Sequence, residues 1–98
     1  MARIEMSPEV SDDFDRIFDH LAQYDPVHAA DRIREIRDAI SVLETNPRIG
    51  WPARRNKREL IIGRRSHGHV ALYRHVPELD VVFVLALRSQ REAGYKHD

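Results

Sequence analysis

The residues able to do chemistry in this chain are mostly arginines, with a few histidines and one tyrosine beside them. Arg58, Arg64, Arg65, Arg74, Arg88 and Arg91 fall in or at the ends of predicted strands. A guanidinium grips a carboxylate or a phosphate through a bidentate fork, so this cluster points to anion recognition, by nucleic acid or by an acidic protein. The alternative is a charged sheet edge that blocks edge-to-edge aggregation. His67 and His69 lie two apart, so both can point the same way, and His75 follows on the same strand. A metal site needs a further histidine or carboxylate in register, and Glu59 is the only acid in the preceding strand, so no metal or other cofactor is expected. There is no cysteine, which excludes disulfides and thiolate metal sites. No GxSxG, P-loop, GxGxxG or HExxH pattern occurs, and no pair of acids sits in an apolar setting that tunes one as a general acid. Trp51 lies in the basic loop NPRIGWPARRNK, where it either stacks on a base or anchors a partner, or else closes one end of the core.

The formal net charge is zero, but it is unevenly spread. Residues 1–47 hold 5 basic and 11 acidic side chains, a balance of −6; residues 48–98 hold 11 basic and 5 acidic, a balance of +6. The acidic half reads as helices and the basic half as strands, which builds a bipolar surface whose positive side attracts an anionic partner. Internal neutralisation between helices and sheet is the plainer reading. Direct DNA binding is not expected, because the acidic half repels phosphate.

These side chains must be positioned by the elements around them. Arg3–Met6 reads as a short strand. Ser7 offers an N-cap hydroxyl and Pro8 suits the first helical position. Glu9, Asp12 and Asp13 place negative charge at the positive end of the helix dipole. Val10, Phe14, Ile17, Phe18 and Leu21 then recur at helical spacing, predicting a helix to about Tyr24. Asp25 and Pro26 repeat the start signal. Ala29, Ile33, Ile36, Ile40 and Leu43 form the stripe of a second helix that stops near Asn46, ahead of Pro47. The short link makes an antiparallel hairpin.

Asn46–Lys57 is expected to be a loop without regular structure, given two prolines and a glycine. Three strands follow: Glu59–Arg64, His69–Val76 and Asp80–Leu87. The run VVFVLAL suits a central strand buried on both faces. The tail from Ser89 is polar and expected to be only partly ordered. The class is therefore α+β, in the order β-α-α-β-β-β, with a helical hairpin packed on a small, mainly antiparallel, curved sheet. With 98 residues, 42% hydrophobic, the whole chain 1–98 reads as one domain. Neither a signal-peptide stretch nor an apolar run near the roughly 20 residues of a bilayer span occurs, so a cytoplasmic protein that does not contact membranes is expected.

Four segments in this order, IRDAISVLETNPRIGWP, RELIIGR, HVALYRHV and VVFVLALRSQREAGY, resemble the RelE/ParE superfamily of type II toxins over nearly the whole chain. The NPRIGWP that ends the second helix and the closing LRSQREAGY resemble its ParE branch. The superfamily fold, a helical hairpin against a curved antiparallel sheet, agrees with the elements read above. RelE-like members cleave messenger RNA on the ribosome with Lys, Arg and Tyr on the sheet. Aligned on Tyr73 and Phe83, two of those lysine positions fall on Ile61 and Gly63, and an arginine position falls on Val70. None of the three can hold a phosphate.

The resemblance to the ParE branch implies inhibition of DNA gyrase by binding, with no catalytic residues, and neutralisation by a ParD-like antitoxin. The target surface is expected at Arg64, Arg65, Arg74, Arg88, Arg91 and Tyr95. Phe18, Leu21, Tyr24 and Trp51 are the candidates for antitoxin contact; the alternative is that all four are core. A RelE-like ribonuclease with a rearranged cationic site, and a non-toxic binding module of the same fold, stand as the other two readings.

Overall fold

The chain, described here at residues 1–64 and 67–96 by a computed structural model, begins with strand β1 (Arg3–Met6) and helices α1 (Pro8–Tyr24) and α2 (Ala29–Ser41). A 3-10 turn (Val42–Glu44) leads to β2 (Trp51–Ala53), and a second (Arg54–Asn56) leads to β3 (Lys57–Ile62), β4 (His69–Val76) and β5 (Val81–Ser89). The five strands form one sheet in the order β1-β5-β4-β3-β2. β1 runs parallel to β5, and every other neighbouring pair is antiparallel. The expected α+β class is present, with one strand more than expected.

The extra strand corrects the reading of Asn46–Lys57 as a loop throughout. Trp51, Pro52 and Ala53 pair with Glu59, Arg58 and Lys57. Proline lacks a donor, so it is tolerated here because β2 is an edge strand. The approach to β2 is fixed from the sheet. The Gly50 N–H donates to the Tyr73 hydroxyl at 2.9 Å, and Arg58 Nη1 donates to the carbonyls of Gly50 (2.8 Å) and Arg48 (3.1 Å). Arg58 thus serves structure rather than an anion. A Cβ at position 50 would lie 2.8 Å from both the Glu59 carbonyl and the Tyr73 ring, so only glycine fits. Pairing with β2 also starts β3 two residues earlier than expected, at Lys57.

Helices α1 and α2 cover one face of the sheet. Val10, Ile17, Ile36, Ile40 and Leu43 pack on Ile62, Ala71, Tyr73, Val82, Val84 and Leu87, with Phe14, Leu21, Ile33 and Leu60 partly buried around them. Both predicted stripes are therefore core, except at Phe18, which points outward. Asp25 and Pro26 do not start α2. Asp25 closes a turn instead, accepting the His28 N–H at 3.1 Å and contacting His28 Nδ1 at 2.9 Å, and the helix begins at Ala29. In β5 the register shifts between Leu72↔Ala86 and Tyr73↔Val84, leaving Leu85 as an extra residue. This bulge resets the alternation, so Val82, Val84 and Leu87 share the helix side.

β1 ends opposite Val84, leaving the last half of β5 without a strand on that side. Helix α1 takes over. The Ser7 N–H donates to the Val84 carbonyl (3.0 Å) and the Ser7 hydroxyl to the Leu85 carbonyl (3.1 Å). The Leu87 N–H donates to Asp13 Oδ2 at 2.9 Å, and Arg16 Nη2 donates to the Leu87 carbonyl at 3.1 Å. Arg16 also pairs with Asp13 (2.6 Å) and Glu92 (3.1 Å). Two expectations are corrected. Ser7 does not cap α1 with its side chain, and Asp13 is fully buried rather than a surface charge at the helix dipole. The unmet polar groups of β5 recruit both.

The tail, expected to be only partly ordered, is tied down as far as Tyr95, and residues 97–98 lie outside the described residues. The Gln90 N–H donates to the Gly68 carbonyl at 3.0 Å, and Glu92 accepts the Ser89 N–H at 2.9 Å.

Asp13→Ala removes the acceptor of a buried backbone N–H and one anchor of Arg16. Chemical denaturation is expected to show a loss of about 2–4 kcal/mol; a loss below the error of the measurement would contradict the role given to Asp13. Gly50→Ala is expected to cost about 1–3 kcal/mol through the overlap with Tyr73 and the Glu59 carbonyl, read by the same method.

Candidate functional site

Strand register sorts the sheet residues into two faces. Trp51, Ala53, Lys57, Glu59, Ile61, Val70, Leu72, Arg74, Phe83 and Arg88 point away from the helices. The tail folds back across this far face. The Tyr95 hydroxyl donates to Glu59 Oε2, and the Arg88 guanidinium lies 5.2 Å from the centre of the Tyr95 ring. Arg88 Nη1 also donates to the Ser89 and Glu92 carbonyls, at 3.2 and 3.3 Å. Burial, reinforced by the Glu59 carboxylate, pushes the Tyr95 phenol well above its ordinary range, against an opposing effect of Arg88. The phenol is therefore neutral at physiological pH and acts as a donor, not as a base.

Three of the six expected target-surface residues, Arg74, Arg88 and Tyr95, share this far face. Arg64 is exposed in the turn after β3, beyond Gly63, whose φ of 78° begins that turn. Arg65 lies outside the described residues. Arg91 lines a groove elsewhere. Two of the positions where a RelE-like site would carry cations, Ile61 and Val70, are register partners on the far face, and both are apolar. Beside them, a hollow of about 400 Å³ is lined by Ala53, Arg54, Arg55, Lys57, Glu59, Leu72 and Tyr95. The charge of Arg54, Arg55 and Lys57 is legible in the basic segment NPRIGWPARRNK, but their convergence on Tyr95 is not. Nothing local links residues that only β-pairing and the returning tail bring together.

The second surface is a groove of about 670 Å³ between the turn that joins the two helices and the start of β4, with Ser89, Arg91 and Glu92 beside it. Ile17, Leu21 and Tyr24 give it an apolar wall, and His20, His28, His67, His69, Arg32 and Arg91 stand around it. His67 and His69 do point the same way, into this groove. Among the described residues no three histidine or acidic side chains are close enough together to hold a metal ion. Of the four candidates for antitoxin contact, Leu21 and Tyr24 meet here, and Tyr24 is 69% exposed. Its ring centre lies 4.7 Å from that of His20. Phe18, 44% exposed, borders a shallower cleft with Phe14 and Ile33 on the outer side of the hairpin. Trp51 stands apart from these three, on the far face of the sheet.

Comparison with known proteins agrees with this architecture. A family model described as the ParE toxin of the type II toxin–antitoxin system parDE matches residues 4–94. A solved structure of the chromosomal ParDE toxin–antitoxin system from P. aeruginosa superposes with a TM-score of 0.77, covering 91% of this chain and 96% of that one. The two are 20% identical, so this likeness shows the shared fold. No curated protein gave a significant match. The strand, hairpin and mixed five-stranded sheet define a ParE-like α+β toxin fold. The chain belongs to the ParE toxin family of type II toxin–antitoxin systems.

His69 in the groove is buried, and burial holds its imidazole below the ordinary value of about 6.5, with Arg32 acting in the same direction and Glu35 and Glu92 opposing. The unfolded chain then binds more protons than the folded one below that ordinary value. Stability should be full above it and fall as pH drops toward the depressed folded value. Denaturation midpoints from pH 7.5 to about 5 are expected to decline, and His69→Gln should flatten that part of the curve.

Proposed function

We propose that this chain arrests growth by binding DNA gyrase and holding it on cleaved DNA, and that a ParD-like antitoxin neutralises it. The observation that carries this reading is the family match across residues 4–94. The far face supports it against RNA cleavage. Ile61 and Val70 provide no cation to stabilise a transition-state phosphate, and the Tyr95 phenol is kept neutral by burial and Glu59. A protein that inhibits by binding needs a complementary surface and no catalytic group. Arg64, Arg74 and Arg88, with Tyr95, are the residues proposed to meet the target. No helix among the described residues is long and apolar enough to cross a membrane, and the proposed target places its action in the cytoplasm.

For the antitoxin we propose the helical hairpin. Tyr24 and Leu21 open onto the groove, and Phe18 lies less than two turns before Tyr24 on α1. An amphipathic helix laid there would cover all three through spaced apolar anchors. Trp51 is out of reach of such a helix, and only an extended segment passing round the sheet would touch it.

Added to a gyrase supercoiling reaction on relaxed plasmid, the purified chain is expected to abolish supercoiling and to accumulate linear DNA. Antitoxin should reverse both effects. Arg64→Glu combined with Arg88→Glu should weaken inhibition by at least about tenfold, since each removes a charge-assisted contact. Unimpaired supercoiling by a folded sample would reject gyrase as the target, and full potency of the folded double variant would reject the proposed surface.

A further inference from the structure

The β2 rim of the far face carries two features that gyrase inhibition does not require. Trp51 is 71% exposed there. A large ring left in water on a sheet face is an open stacking platform. Arg54 and Arg55 line the adjoining hollow, together with Lys57, Leu72, Tyr95 and Glu59, the register partner of Trp51 across β2 and β3. Both arginines are exposed, and neither has an ion-pair partner among the described residues.

Consecutive side chains of an extended strand diverge, so two neighbours reach one hollow only if the backbone turns. Arg55 and Asn56 do turn, with left-handed φ values of 58° and 60°. Asparagine tolerates that conformation, but arginine adopts it uncommonly, so at Arg55 the surroundings hold it. Arg74 helps impose it by donating from Nη2 to the Arg55 carbonyl at 3.2 Å.

We propose that this rim binds single-stranded nucleic acid, with a backbone phosphate held by Arg54 and Arg55 and an adjoining base stacked on Trp51. Guanidinium groups beside an exposed indole are the two components that sequence-tolerant single-strand binding needs. The hollow, at about 400 Å³, has room for a nucleotide. Eleven of the 16 acidic residues that disfavour DNA for the chain as a whole lie in the N-terminal, helical half, and Glu59, the acid in the hollow, is engaged by the Tyr95 hydroxyl. An acidic peptide would satisfy the arginines but bring no flat partner for the indole. The proposal is independent of the gyrase reading and can hold if that reading fails.

Trp51 is the only tryptophan in the chain, so its emission reports on the site directly. Titration with a short oligodeoxythymidylate is expected to quench it saturably. Affinity should fall with salt, with a logarithmic slope of about −1 for one or two neutralised phosphates. Replacing both arginines (Arg54→Ala with Arg55→Ala) should lower affinity by about tenfold to a hundredfold and bring the slope close to zero. With a labelled oligonucleotide followed by anisotropy, Trp51→Ala should lose at least about fivefold in affinity, and Trp51→Phe should recover part of it. All three side chains are exposed, and thermal melting by circular dichroism checks that each variant is folded. Absence of quenching overturns the proposal. So does equal binding of a duplex of the same length, equal competition by a polyglutamate peptide, or unchanged affinity in folded Trp51→Ala.

Discussion

The structure depends on how the second half of β5 satisfies its backbone. β1 is four residues long and stops opposite Val84, yet β5 continues to Ser89. Carbonyl and amide groups at Leu85 and Leu87 would otherwise be left unpaired beside the core, at about 1–3 kcal/mol each. Ser7, Asp13 and Arg16 meet them from α1. The helix thus acts as the missing strand, and its angle and depth on the sheet are set by polar bonds as well as by Val10 and Ile17. The Leu85 bulge is part of the same arrangement, because it turns Leu87 toward the helices where Asp13 can reach its N–H.

That junction also leads to the functional faces. Arg16 continues to Glu92, and Glu92 accepts from the Ser89 N–H, so the start of the tail is fixed where β5 ends. Arg88 then holds the tail through the Glu92 carbonyl and the Tyr95 ring, and Tyr95 reaches Glu59 across the far face. One chain of polar contacts therefore runs from α1 to the surface proposed for the target. Opposite it, the helices leave Tyr24 and Phe18 uncovered, since a two-helix layer buries one stripe per helix and no more. The two proposed partners thus have separate faces of a small molecule to occupy.

Much of the fold was legible because the signals were local. The i, i+3, i+4 spacing of Ala29, Ile33, Ile36, Ile40 and Leu43 identified a core stripe, and the strand limits of β1 and β4 matched the expectation. The failures share a physical cause. Asp13 reads as a helix-dipole carboxylate because sequence shows its neighbours on α1 and not the Leu87 N–H across the core. Trp51–Ala53 reads as loop because proline and glycine forbid an interior strand, and nothing local says that this strand lies on an edge. Arg58 reads as an anion-binding cation, whereas it is spent on the carbonyls of Arg48 and Gly50.

The sequence by itself determined the class of element at nearly every position, the apolar stripes, the division of charge between helices and strands, and the resemblance to ParE-like toxins. Each depends on spacing along the chain, which folding does not change. Only the tertiary structure decided which of the basic side chains converge. It placed Arg74, Arg88 and Tyr95 on one face, sent Arg91 to the groove, and turned Arg54 and Arg55 into a single hollow. Strand register and the path of the tail fix those distances. Both are set by contacts between residues far apart along the chain, 36 positions for Glu59 and Tyr95 and 74 for Asp13 and Leu87.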